Sequence, residues 1–158
     1  MKPLTLAVVA MAVMSGSAVL AFAQSDPWVG TWKLNVAKST FDPGPKPSSG
    51  TVKLEPQQGG FRSAFDIVDA KGQPNHFGGS EVLDGKDRPT QGANAKPNQT
   101  HSFKRIDRGW ERTVKENGKA IFTARWVVSA DGKTLTVTQK GKNGQGQTVS
   151  NVIVHDKQ

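Results

Sequence analysis

Glycine-bearing turns recur through almost the whole chain, and the runs between them are too short for anything but strands. Gln58-Gly59-Gly60, Ala70-Lys71-Gly72, Asp107-Arg108-Gly109, Asn117-Gly118-Lys119, Asp131-Gly132-Lys133 and Asn143-Gly144 are the punctuation. Asn-Gly and Asp-Gly pairs tolerate positive φ and suit tight hairpins. The intervening runs are rich in Val, Thr, Ile and aromatic residues and alternate in polarity, with no helical period. They predict strands at Gly30–Val36, Thr51–Pro56, Gly60–Val68, Asn75–Leu83, Thr100–Ile106, Gly109–Glu116, Lys119–Ser129, Lys133–Lys140 and Thr148–His155. Successive hairpins make antiparallel neighbours, and so many strands leave exposed edges unless the sheet closes or folds into a sandwich. The expectation is an all-β, antiparallel up-and-down meander closed into a barrel of about 8–10 strands.

Residues 1–23 read as a secretory signal. Lys2 is the charged start, Leu4 to Leu20 is nearly continuous apolar sequence, and Ala21-Phe22-Ala23 is a small-x-small cleavage site. Cleavage after Ala23 places residues 24–158 as one domain in a bacterial periplasm or the medium. With no cysteine there is neither a lipidation site nor a disulfide framework. Removing 23 of 158 residues leaves 135, enough for a core without staples. The remaining 20 Lys and Arg outnumber 13 Asp and Glu, a charge of +7 once Lys2 is gone. They are scattered singly, which predicts a solvated surface rather than a nucleic-acid face, with at most weak contact to an anionic envelope surface. A monomer is expected.

Alternation assigns the inner faces. Trp32 shares a face with Leu34; Phe61, Ser63, Phe65 and Ile67 share another, with Arg62 outside. Phe122, Ala124, Trp126 and Val128 point inward and Arg125 outward, while Leu135, Val137 and Gln139 face in. Burying Trp110 and Val114 carries Arg112 inward with them, and Phe77, Gly79 and Leu83 carry Glu81. A buried guanidinium needs a partner. Arg112 has three: an anionic ligand, the face of Trp32, or Glu81. The candidate cavity wall is therefore Trp32, Phe65, Glu81, Trp110, Arg112 and Trp126.

Catalytic patterns are absent. His76, His101 and His155 have no metal-ligand spacing, and no nucleophile elbow, phosphate loop or zinc-helix motif occurs. No catalytic residue, metal or cofactor is implied, and enzyme activity is not expected.

The segment Trp28-Val29-Gly30-Thr31-Trp32-Lys33-Leu34, followed by Phe41-Asp42, resembles the opening of the fatty-acid-binding proteins, within the lipocalin-like (calycin) superfamily. Asp131-Gly132-Lys133 feeding a Thr-rich strand, then a last strand ending Val154-His155-Asp156-Lys157, is similar in layout to the end of that fold. The resemblance implies a lipocalin-like barrel in which Trp32 plugs one end beneath an arginine; Trp28, by its own position ahead of the strand, is expected to close that end from outside or to lie exposed. It also implies a non-enzymatic protein for a small hydrophobic or amphiphilic molecule. Two features depart from the family. Ala37–Gly50, with Pro43, Pro45 and Pro47, is unsuited to the family's helix pair, and the places of its Arg-x-Tyr clamp hold Ile153 and His155. Asn35 and Ser39-Thr40-Phe41 also echo an avidin-like run, one residue out of register. The competing reading is a barrel or sandwich with a filled core that meets an envelope component or a protein through its loops and basic surface. Two long connections, Ala37–Gly50 and Gly85–Gln99, are lids or insertions.

Overall fold

A computed structural model describes residues 26–90 and 96–158. The expected signal segment and residues 91–95 lie outside the described residues. Ten strands follow one another: β1 (Gly30–Leu34), β2 (Ser49–Gln57), β3 (Gly60–Val68), β4 (Pro74–Val82), β5 (Arg88–Pro89), β6 (Gln99–Ile106), β7 (Gly109–Glu116), β8 (Lys119–Val128), β9 (Thr134–Lys142) and β10 (Thr148–Lys157). Their order in the single sheet is β4-β3-β2-β1-β10-β9-β8-β7-β6-β5, antiparallel throughout. The all-β meander is as expected, with the short strand β5 added.

The hairpins follow from their turn residues. Asn117 and Gly118 both take positive φ, 50° and 76°, as the tight turn between β7 and β8 requires. At Gly109 the reason is approach rather than dihedral freedom: a Cβ there would lie 1.8 Å from the carbonyl oxygen of Trp126. Without a side chain, β7 and β8 draw together, and Trp110 and Trp126 stack across them with centroids 5.1 Å apart and planes 11° apart.

The sheet curls until its two edges approach each other. They meet at an isolated bridge between Asp84 and Lys104, joined by Gly85 N–H donating to the Phe103 carbonyl at 2.8 Å. Above that point β4 and β5 share no ladder, so closure stops at a seam.

Over their described residues, both long connections are held by the sheet. After β1 the chain turns at Val36–Ser39 and resumes pairing with β10, Thr40 opposite Val152. Asn35 Oδ1 accepts from the Lys38 amide at 3.0 Å, and its Nδ2 donates to Asp156 at 2.7 Å. The Ser39 hydroxyl donates to the Asn35 carbonyl at 2.7 Å and accepts from the Val154 amide at 2.9 Å, bridging the gap the turn opens in the ladder. The avidin-like run thus serves the backbone. In the second connection β5 pairs with β6, and the ion pairs Arg88–Asp84 and Lys115–Asp87, each 2.8 Å, hold it down.

The core fills one end of the shell. Trp28, Trp32, Val52, Leu54, Phe61, Phe103, Trp110, Val128 and Leu135 form one buried cluster. Trp28, expected outside the barrel or exposed, is fully buried because the chain before β1 folds back beneath the sheet and sets its indole edge-on to Phe61 and Trp110. Arg105 covers it at 5.9 Å. The cover over Trp32 is a lysine instead of the expected arginine, Lys157 Nζ lying 5.0 Å from the ring, because β10 is the neighbour of β1.

Candidate functional site

Above this core lies a cavity of about 940 Å³. Its aromatic floor and walls arise from strand parity: Phe61 and Phe65 on β3, Phe77 on β4, Phe103 on β6, Trp110 on β7, Phe122 and Trp126 on β8. The rings touch in sequence. Phe77 stacks on Phe65 at 4.7 Å and 9°, Phe65 meets Trp126 edge-on, and Trp126 stacks on Trp110. This line of rings runs from the buried core to an exposed rim, where Phe77 keeps 59% of its surface open. Phe41 and Pro47, from the connection after β1, complete the wall.

Of the sequence-predicted residues, Phe65, Glu81, Trp110, Arg112 and Trp126 line the cavity together. Trp32 does not, and its expected place in the wall is corrected. Its indole N–H donates to the Trp28 carbonyl at 2.8 Å, which holds the ring within the packed end below the cavity floor.

The polar groups are few, and their charges are unequally satisfied. Arg88 is bound to Asp84 by two hydrogen bonds of 2.9 and 2.8 Å. Arg112 has no ion pair or hydrogen bond among the described residues; its Nε is buried without a partner, and its guanidinium carbon lies 5.8 Å from the Phe103 ring. Neither a cap on Trp32 nor a direct salt bridge to Glu81 is formed. The two charges still act on each other: burial raises the Glu81 carboxyl above its usual range, while Arg112 and Arg88 pull it down. For Arg112, burial disfavours the charge and Glu81 favours it.

Two histidines outside the predicted set also reach the cavity. His101 on β6 is pushed below the usual histidine range by burial, then by the charges of Arg112 and Arg88, and its Nδ1 is buried without a partner. His155 on β10 is pushed down to about 4, chiefly by burial, and lies parallel to Trp126 at 6.3 Å and 17°. Both were legible as inward positions, His101 with Phe103 and His155 with Ile153, once histidine is read as a wall residue as well as a metal ligand. Among the described residues no three His, Asp or Glu side chains cluster as a metal site.

A sheet of this order and curl, hollow above an aromatic plug, has a calycin-like barrel fold. Among solved structures the chain is similar to the fluorescent protein UnaG, with 13% identity, a TM-score of 0.53, and coverage of 83% of this chain and 97% of that one. A variant of UnaG aligns at 13% identity and a TM-score of 0.54, covering 84% and 96%. Zebrafish ileal bile acid-binding protein complexed with cholic acid aligns at 12% identity and a TM-score of 0.49, covering 84% and 99%. At this identity the likeness to UnaG is one of fold. No family model matches the sequence, and no characterised protein matches it at the sequence level.

Proposed function

We propose that this protein is an exported, non-enzymatic carrier that holds a small hydrophobic or amphiphilic molecule inside the barrel. The cavity carries this reading: about 940 Å³ of interior space, walled by aromatic and aliphatic side chains and interrupted by a few polar groups. Such a balance suits a ligand bound by burial and oriented by one or two polar contacts. Burying about 300 Å² of apolar ligand surface contributes about 7 kcal/mol before the cost of immobilising the ligand. A barrel acting only through its loops needs no such space.

Native mass spectrometry of protein purified from its own host, with displacement of an uncharged, environment-sensitive apolar dye, tests the proposal. A retained small molecule and saturable dye binding are expected. No retained mass and no saturable binding would end the carrier reading. For export, the intact mass of secreted protein should correspond to a chain beginning at Gln24.

A further inference from the structure

We propose that two copies of this chain pair through the free edge of β4, antiparallel across a two-fold axis at Gly78, so that each copy's Phe77 lies over the partner's Gly79 and completes the partner's cavity wall. The expected monomer would leave that edge bare.

The backbone supplies the joint. The Leu83 amide bonds the Gly59 carbonyl and the Asp69 amide bonds the Gln73 carbonyl. The register between these points is unbroken, so the odd-numbered residues of β4 bond β3. Alternate residues of an antiparallel ladder point the other way. His76, Gly78 and Ser80 therefore aim their N–H and C=O groups at the seam, where β4 has no ladder partner. Gly78 and Gly79 carry no side chain, so their exposure is exposure of the backbone itself. The other edge of the sheet is blunted: the Thr90 amide bonds the Gln99 carbonyl, which turns Pro89, without an N–H, to the free side. β4 has no such guard between Asn75 and Val82, and it contains neither Lys nor Arg in a chain with 21 of them.

The side chains identify what covers this edge. Gly78 is required by its own sheet, since a Cβ there would lie 2.2 Å from the Ser63 carbonyl oxygen. Gly79 is not required: a Cβ there would meet only Glu81 Oε1, at 3.6 Å. Beside this gap stands Phe77, stacked on Phe65 and still 59% exposed. Centred on Gly78, two antiparallel β4 strands set Phe77 directly opposite the partner's Gly79, at a rung without hydrogen bonds, where side chains approach most closely. An aromatic ring over a cross-strand glycine shields the bare backbone. Phe77 and Gly79 both line the cavity, so the ring that closes the joint also walls in the neighbouring interior. A slip of two residues sets Phe77 against the partner's Phe77 or the partner's Glu81, and gives Gly79 no ring.

Charge favours the same register. On the outer face Arg62 stands opposite Ser80, and Asp66 opposite His76. The two-fold axis brings the Arg62 end of each hairpin beside the Asp66 end of the other, so opposite charges meet on both sides of the joint.

Sedimentation velocity of the protein tests the pairing. With about six interstrand hydrogen bonds the interface is small, and dimer should grow between about 1 μM and 1 mM. Gly79→Val fills the place of the partner's ring, has room within its own chain, and should weaken the dimer about tenfold; an unchanged unfolding midpoint reports that it has folded. The chain has no cysteine, so an oxidised mixture of His76→Cys and Ser80→Cys reads the register. These positions meet at about 5.5 Å between Cα atoms and should form a mixed disulfide dimer. Either variant alone, offset by about 13 Å along the strand, should not. A protein still monomeric at about 1 mM overturns the proposal and leaves the edge to a different chain. A dimer in which the mixture does not cross-link, or one that a folded Gly79→Val does not weaken, overturns it equally.

Discussion

The two ends of this barrel are built from the same strands yet obey different economies of packing. At the lower end Trp28, Trp32, Leu54, Val128 and Leu135 are buried to within 1% of full cover. Higher up, the same sheet surrounds open space, and β4 leaves every residue from Pro74 to Ser80 exposed. The difference lies in what meets each side chain across the interior. Near the floor, the segment before β1 delivers Trp28 between Phe61 and Trp110. Further up, among the described residues, only Phe41 and Pro47 of the connection after β1 lean in over the inner faces of β3, β4 and β8. Close packing and open space thus fall at different heights of the same strands, with Phe61 and Trp110 at the boundary between them.

The sharpest way to break this division is Trp32→Ala. It should cost about 3–5 kcal/mol in urea unfolding, and a loss below 1 kcal/mol would show that the lower end is not the structural core. A second probe is the half-way residue His155, which belongs to the wall but is 3% exposed. Its pKa is about 4 in the folded protein and ordinary, near 6.5, when unfolded. The unfolded chain therefore takes up the proton first as pH falls. Stability from this group is intact above about pH 6.5 and declines toward pH 4, by about 3 kcal/mol in all. Unfolding wild type and His155→Phe across that range isolates the effect, and parallel curves would refute it. The smallest stability change should come from the rim. Phe77→Ser should alter unfolding by less than about 1 kcal/mol, because the ring is already mostly in solvent, yet weaken dye binding severalfold by removing the partner of Phe65. Equal losses at Phe77 and Trp32 would erase the contrast.

Much of this contrast was legible in the sequence because a strand's two-residue period is strict. Arg112 faces in because Trp110 and Val114 do, and Glu81 follows Phe77 in the same way. Parity says which face a residue joins, but not how far along the barrel it sits or what meets it there. Trp32 and Trp110 look equivalent as inward tryptophans, yet one lies under the floor and the other forms it. The cover on Trp32 was equally hidden, since choosing Lys157 requires knowing that β10 lies beside β1. Trp28 precedes any strand and has no parity to read. β5 escaped notice because Arg88 and Pro89 show no alternation, and their pairing to Thr100 and His101 is decided by tertiary contacts.

The seam has a topological consequence. Read around the shell from β5, the strands run 5 to 10 and then 1 to 4, so the sheet is the chain rotated within its own order. Its one joint without a connecting segment is β1 against β10, where Gln158 N–H meets the Thr31 carbonyl and Lys157 reaches the carbonyl of Pro27. The one place where chain continues but ladder does not is between β4 and β5. A circular permutant joined near Pro27 and Gln158 and opened in the 85–99 connection would convert the longest-range pairing into a local one. It would keep every rung of the sheet and fold faster, as lower contact order dictates.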